Sequence, residues 1–301
     1  MILAIILAAQ IKNSVPPQPG QTPTQQRAME RMRIEAGPID ADSHFFRRAD
    51  GRNGDVASTH EIDAALDGYA ASLARRKDDV ESRWKYLRAT YFKADYTGKT
   101  DAERAALYER AIPIAEDAVA LERARAGAKL ARPARSLEPQ EAGAALAGDA
   151  TAGEVFFWSA VVRGQWALVH GKLRAAREGA AAKIRDDARS AAAVNPELED
   201  GGPYRVLGRL HSVSPKIPFF TGWVDHDKGI DYLRQSVAIA PGNLINLLFL
   251  AEALHEKGDS GSEVKSLLDR IAAATPHPDH IVEDLRTQAN ATRDRTAWGI
   301  H

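Results

Sequence analysis

The sequence contains no cysteine among its 301 residues. This absence excludes structural disulfides, cysteine-ligated zinc and a cysteine nucleophile, but it does not distinguish an oxidising from a reducing compartment. Beyond the N-terminus, no stretch reaches the ~18 consecutive apolar residues that a membrane-spanning helix needs. The charges nearly cancel, with 40 lysines and arginines against 41 aspartates and glutamates. We therefore expect neither nucleic acid nor an acidic membrane surface as a partner.

The first nine residues are almost entirely apolar. Residues 1–9 fit the h-region of a signal peptide, and Ala8 and Ala9 fit a small-residue cleavage site. No basic residue precedes the apolar run, so a frayed apolar start or a misplaced start codon is the alternative. Gln10 stands where a lipoprotein would carry cysteine. We expect a periplasmic or otherwise exported protein that is not lipidated.

Composition divides the rest of the chain into two parts. Residues 10–58 are interpreted as a Pro-rich linker and a loop, because 11–26 carry four prolines and four glutamines, and 50–58 carry two glycines. Residues 59–301 show helical spacing of apolar side chains almost throughout. We expect this second part to form one helical domain.

The helical part contains a degenerate repeat. One pattern, small-x3-large-x2-small-x4-Pro, is typical of the second helix of a tetratricopeptide unit, and another is typical of the first helix of the next unit. The second-helix pattern consists of Gly229, Leu233, Ser236 and Pro241, and the first-helix pattern of Leu247, Leu250, Ala251 and Leu254. First-helix anchors recur at Trp84, Trp158, Tyr204 and Leu247, with unequal spacing. The sequence therefore predicts an all-α fold, an irregular tetratricopeptide-like array of stacked antiparallel helix pairs.

Three segments of this repeat, 201–210, 227–233 and 246–254, resemble the TatT component of TRAP transporters. The aromatic helix around Trp158 and Trp166 is also similar to that family, and the resemblance covers roughly Glu154 to Pro278. It implies an all-helical periplasmic protein that helps a TRAP-type solute-binding protein deliver organic acids or similar hydrophobic ligands to a transporter subunit. Members of that family can form trimers, so a homo-oligomer is one expectation.

The repeat register predicts which side chains face the concave surface. With Trp158, Tyr204 and Leu247 placed at the fourth position of their repeats, Trp158 and Tyr204 themselves belong to the core. The side chains predicted to face the groove are Phe156, Ser159, Arg163, Trp166, Arg205, Arg209, Leu248, Glu252 and His255. Aromatic rings beside guanidinium groups suit an anion with an apolar body. The alternative is that these arginines pair with acids of adjacent helices or extend into water.

The connection 215–223 carries Phe219, Phe220 and Trp223 close together. These rings either fold back onto the helices as a plug or form an exposed lip that binds a partner. The run Asp225-His226-Asp227 could ligate a metal, but adjacent residues rarely converge on one ion, and an N-cap explains it better.

No phosphate-binding loop, nucleophile elbow or acid–base pair stands out. We therefore predict a protein that is not an enzyme and has no cofactor or metal. The first functional hypothesis is a ligand-binding or adaptor protein of the TRAP-associated type. The second is a general helical scaffold that binds a protein or peptide in its concave groove. An enclosed pocket would favour a small molecule, and an open groove would favour a peptide.

Overall fold

A computed structural model describes residues 40–217, 221–259 and 261–301. The predicted signal segment and most of the predicted linker lie outside these ranges. Within them the chain forms thirteen α-helices and no β-strand, which confirms the all-α prediction. The helices are α1 (Ala41–Phe46), α2 (His60–Arg75), α3 (Val80–Tyr96), α4 (Asp101–Leu130), α5 (Pro139–Ala145), α6 (Ala150–His170), α7 (Lys172–Arg177), α8 (Ala180–Val194), α9 (Leu198–Val213), α10 (His226–Ile239), α11 (Leu244–Glu256), α12 (Ser262–Ala273) and α13 (Ile281–Trp298).

The helices stack as successive antiparallel pairs. Pairs form between α3 and α4, α6 and α8, α9 and α10, and α11 and α12, and each pair also packs against the next. The four anchors that the sequence identified lie on the first helix of each pair. The long connections and the extra helices α5 and α7 explain why the repeat spacing is irregular. The tetratricopeptide-like array is therefore the observed architecture.

Two glycines explain the small positions of the repeat. A Cβ atom on Gly208 of α9 would lie 2.5 Å from Cγ of Leu233, and one on Gly229 of α10 would lie 3.1 Å from the carbonyl oxygen of Gly208. Neither distance accommodates a side chain. Glycine occurs at these positions of the repeat because α9 and α10 approach each other too closely for a side chain.

The segment 40–58 is more ordered than the sequence indicated. Asp40 caps α1 by accepting a 3.0 Å hydrogen bond from the backbone N–H of Ser43, and Phe45 is buried in a cluster with Ile62 and Tyr69. Only the part after α1, with its turns, matches the loop that composition predicted. The described part of the interpreted linker therefore packs on the helical body, because α1 supplies an apolar side chain that covers α2.

The two ends of the array meet. Nη2 of Arg48 lies 2.9 Å from Oε1 of Glu283 on α13, although the two residues are 235 positions apart. Arg286 of α13 also pairs with Asp55 and donates a 3.0 Å hydrogen bond to the carbonyl oxygen of Asp95. Because of these contacts, the stack of helices closes on itself around a central space.

Candidate ligand cavity

A partly open cavity of about 1280 Å³ lies within the helical array. Its wall is built from α1, α3, α6, α7, α8, α9, α11 and α13, so helices from both ends of the array contribute. This volume exceeds the ~300–1,000 Å³ that is usual for pockets that hold drug-sized ligands.

One wall of the cavity is aromatic. The ring centroids of Tyr91 and Trp158 are 5.8 Å apart, and those of Phe157 and Trp158 are 5.0 Å apart in an edge-to-face arrangement. Tyr91 continues to Tyr96 at 5.7 Å, where the two hydroxyl groups are 3.2 Å apart. Burial raises the pKa of Tyr91 to about 12, so its hydroxyl stays protonated near neutral pH. Phe157 is 2% and Trp158 7% exposed, so these rings give the wall a small apolar patch rather than a broad surface.

Arg205 extends into this cavity from α9. Its Nη1 donates to the carbonyl oxygen of Glu199 at 3.2 Å and to Oδ1 of Asn246 at 2.8 Å, and its guanidinium carbon lies 5.9 Å from the ring centre of Phe157. It forms no ion pair with any described residue. Burial lowers the pKa of Arg205. Nη1 is thus occupied by neutral acceptors, which leaves the rest of the guanidinium group for a ligand.

Arg205 sits beside a turn with unusual backbone geometry. Glu199, Asp200 and Gly201 all have positive φ angles, of 48°, 61° and 77°. Two consecutive non-glycine residues in this region are strained, and such strain persists only where neighbouring groups hold it. Nδ2 of the buried Asn246 donates to the carbonyl oxygens of Asp200 at 2.9 Å and Ser236 at 3.1 Å. These bonds fix the turn and place Glu199 on the cavity wall.

Glu154 of α6 lies on the same part of the wall. Its Oε2 accepts a 2.9 Å hydrogen bond from Nε1 of Trp158. Burial, with a further contribution from the charge of Glu199, raises the pKa of Glu154 to about 8, while the charge of Arg88 opposes this shift. Arg88 is stacked on aromatic rings, with its guanidinium carbon 3.9 Å from the ring centre of Phe45, and it forms no ion pair within the described ranges.

Arg209 lines the cavity one helical turn after Arg205, but it is already neutralised. It forms an ion pair with Glu252 of α11 and lies 4.5 Å from the ring centre of Phe249. Burial raises the pKa of Glu252, and the charge of Arg209 opposes that rise. Arg209 therefore matches the alternative prediction, that an acidic residue of an adjacent helix is its partner and not a ligand.

No protein-family model and no curated protein sequence matches this chain. Two solved structures of MamA are similar to it. The first is 15% identical, with 79% of this chain and 92% of that chain covered and a TM-score of 0.37. The second is 14% identical, with 87% of this chain and 97% of that chain covered and a TM-score of 0.38.

The structure does not bring all the predicted groove residues to the cavity. Phe156 and Ser159 are fully buried between helices. Arg163 is buried as well, with Nε 3.0 Å from Oδ2 of Asp187 and Nη1 3.3 Å from Oε1 of Glu116.

Trp166 is also buried, and its Nε1 donates a 2.7 Å hydrogen bond to Oε2 of Glu109. The cavity is lined instead by a different face of α6, which carries Glu154, Phe157, Trp158, Val161, Gln165 and Leu168. The predicted register was therefore wrong for α6, because this helix packs against α3, α4, α8 and α9 and is apolar nearly all round.

The predicted residues of α11 also lie elsewhere. Leu248 is buried in the cluster between α11 and α12, and His255 stacks on Trp298 of α13 with centroids 4.0 Å apart. Glu252 reaches the cavity only through its ion pair with Arg209. Phe249 and Ile245 line the wall from this helix instead, so its register also differs from the one predicted.

The connection before α10 is described only in part, since Phe219 and Phe220 lie outside the described residues. Trp223 is half-buried, and its ring contacts His211 edge-on at 5.3 Å and the guanidinium group of Arg185 at 4.5 Å. Trp223 thus folds back onto the helices, as the first of the two alternatives for this connection predicted. Asp225 caps α10 by accepting a 3.0 Å hydrogen bond from the backbone N–H of Asp227, as the N-cap reading predicted.

Among the described residues, no group of three or more histidines and acidic residues could hold a metal ion. No helix in the same ranges is long and apolar enough to cross a membrane. The sequence missed the most informative members of the cavity, Glu154, Glu199 and Arg88. Helical spacing places Glu154 and Arg88 on a face, but no local signal predicts the left-handed turn that positions Glu199.

Proposed function

We propose that this protein is a non-enzymatic binding protein that holds a small organic acid with an apolar body inside its helical array. The observation that carries the proposal is Arg205, a half-buried guanidinium group with no carboxylate partner in the described chain, beside an aromatic wall in a large cavity. A carboxylate bound there gains a charge-assisted hydrogen bond of about 1.5–3 kcal/mol.

The resemblance to the TatT component extends this proposal. On that basis the protein is exported, works beside a TRAP-type solute-binding protein or transporter subunit, and forms homo-oligomers. Genes for TRAP membrane subunits next to this one would support the extension. A genomic neighbourhood without any transporter gene would remove that support and leave the binding proposal in place.

The alternative function is a scaffold that binds a protein or peptide in its concave surface. The fold suits either function, since stacked helix pairs serve both. The closure of the array by Arg48 and Glu283 favours the small molecule, because it turns the inner surface into a cavity bounded by both ends of the chain.

Calorimetric titration with a panel of aryl and alkyl carboxylic acids, with and without an α-amino group, tests the proposal. We expect at least one acid to bind, and Arg205→Met to weaken that binding roughly tenfold to a hundredfold. Arg88→Met probes the second unpaired guanidinium group without touching the strained turn. Arg234→Met is the matched control, since Arg234 is exposed and pairs with Glu263 on the surface.

Circular dichroism of each variant checks the fold. If no acid in the panel binds, or if Arg205→Met and Arg88→Met both bind as the native protein does, the proposed function is wrong.

A further inference from the structure

The charges on the cavity wall do not suit a simple anion. Seven acidic side chains and four arginines line it. The ion pair of Arg48 with Glu283 removes one charge of each sign from this wall, and Arg209 is neutralised by Glu252, which is not part of the lining. A ligand that carried only negative charge would face repulsion from most of this wall.

The unpaired groups of both signs lie together. Arg88 and Arg205 have no ion-pair partner among the described residues, and neither do Glu154 and Glu199. All four residues line the same cavity, and Arg205 lies against the turn that carries Glu199. Burial raises the pKa of Glu154 to about 8, so this group is mostly protonated at neutral pH, and the charge of Arg88 also helps to lower the pKa of Asp42. Arg205 and Glu199 therefore carry opposite charges without a direct ion-pair partner among the described residues, and Glu154 becomes a second such carboxylate when it ionises.

We infer that the ligand is zwitterionic, with its carboxylate bound by Arg205 and Arg88 and its amino group held between the carboxylates of Glu154 and Glu199. The backbone of Glu199 accepts from Arg205, so the acidic and the basic part of the site adjoin each other. An α-amino acid has its two charges on neighbouring atoms and fits this juxtaposition. The rings of Phe157, Trp158 and Tyr91 then contact an apolar side chain. This inference rests on the proposed function and narrows its ligand class.

The inference predicts a sign for the pH dependence. Glu154 is the group that changes charge, with a pKa of about 8, and it faces Glu199 from the turn before α9, Arg88 from α3 and Trp158 on its own helix. An ammonium group favours the ionised form of Glu154, so a zwitterion binds more tightly as the pH rises from 6.5 to 8 and releases protons on binding. An acid without the amino group is repelled by the same ionised carboxylate and binds more weakly over that range.

Matched ligands test the inference directly. The probes are L-phenylalanine, 3-phenylpropionate and 2-phenylethylamine, with the corresponding leucine and tryptophan series, titrated calorimetrically between pH 6.5 and 8.5 in two buffers of different ionisation enthalpy. At pH 8 we expect at least one α-amino acid to bind roughly tenfold or more tightly than either analogue, a ratio typical of one charge-assisted contact. Its binding heat should depend on the buffer.

Glu154→Gln and Glu199→Gln should each reduce the preference for the amino acid, and Glu154→Gln should also abolish proton release. The amide oxygen of Glu154→Gln can still accept from Trp158. Glu256→Gln is the control, because Glu256 is an exposed carboxylate on α11 that does not line the cavity.

The outcomes separate the two proposals. Binding of 3-phenylpropionate or its analogues as tightly as the amino acids, with affinity that falls as the pH rises, overturns the zwitterion and leaves the organic-acid function standing. Absence of binding by every probe overturns both. If the Gln variants prove too unstable to titrate, the pH profile and proton release of the native protein still decide the question.

Discussion

Asn246 of α11 accepts a 2.8 Å hydrogen bond at Oδ1 from Nη1 of Arg205 on α9. The same amide donates through Nδ2 to the carbonyl oxygens of Asp200 and Ser236. One fully buried side chain therefore joins a cavity arginine to the strained turn that precedes its helix. All three hydrogen bonds of the Asn246 side-chain amide are made within the protein, so the network is rigid and its loss is costly.

Asn246→Ala should destabilise the protein by about 2–4 kcal/mol, because it leaves two backbone carbonyl groups and Nη1 of Arg205 without their partner. Urea unfolding followed by circular dichroism measures the change. Asn243→Ala, which removes the N-cap of α11 and an exposed hydrogen bond to the carboxylate of Asp200, should cost about 1 kcal/mol. Equal effects of the two substitutions would show that Asn246 has no special role in holding the turn.

The same substitution should act in opposite directions at two helical glycines. Gly208→Ala places a Cβ 2.5 Å from Leu233 and should cost about 1–3 kcal/mol, since α9 and α10 would have to separate. Gly164→Ala meets no atom within 4 Å on α6 and should stabilise the protein by about 1 kcal/mol. Thermal unfolding of both variants gives the sign of each change. A Gly208→Ala protein as stable as the native one would contradict the close packing of the pair.

Glu154 should make stability depend on pH. Its pKa in the folded protein, about 8, lies above the ordinary value of 4.5, so the native state binds an extra proton between those pH values. Native stability is therefore lost progressively as the pH rises from 4.5 to 8, relative to a variant that cannot ionise there. Glu154→Gln should be more stable than the native protein at pH 9, by at most about 5 kcal/mol, and not at pH 4.5. Parallel stability curves for the two proteins across this range would refute the assignment.

The closure of the array depends on Arg48. Its guanidinium group is buried and bonds Glu283 through Nε at 3.1 Å and Nη2 at 2.9 Å. Arg48→Met should cost about 2–3 kcal/mol, because Glu283 would lose its partner in a largely buried site. Arg234→Met, which breaks an exposed pair, should cost at most about 1 kcal/mol. We also expect faster hydrogen exchange in α1 and α13 of Arg48→Met; unchanged exchange there would mean that other contacts hold the ends together.

The helix pairs could be predicted from sequence because their signals are local. Gly208 and Gly229 mark the close approach of two neighbouring helices, and Asp225 caps the helix it precedes. The cavity could not be predicted, because it depends on contacts over long sequence separations, of which Arg48 with Glu283 is the clearest.

Periodicity was least informative on α6. Phe156 and Phe157 are equally apolar and both buried, yet only Phe157 lies at the cavity wall. Hydrophobicity cannot assign faces to a helix that is covered on most sides. The turn at Glu199 and Asp200 also has no sequence signal, because non-glycine residues rarely adopt positive φ and only the surrounding network selects that geometry here.

Occupancy of the cavity is tested most directly by filling it. Gly164 lines the cavity and has open space around its Cβ position. Gly164→Phe should therefore project a ring into the cavity and leave the helix intact. Gly164→Ala is the control, because it also replaces the glycine backbone but adds only a methyl group. Native mass spectrometry of the three purified proteins, followed by denaturation and analysis of released small molecules, is the measurement. We predict an organic acid released from the native protein and from Gly164→Ala but absent from Gly164→Phe. Release of the same acid in equal amounts from a correctly folded Gly164→Phe protein would contradict the account. So would a native protein that releases no organic acid even after it has been incubated with the acid panel.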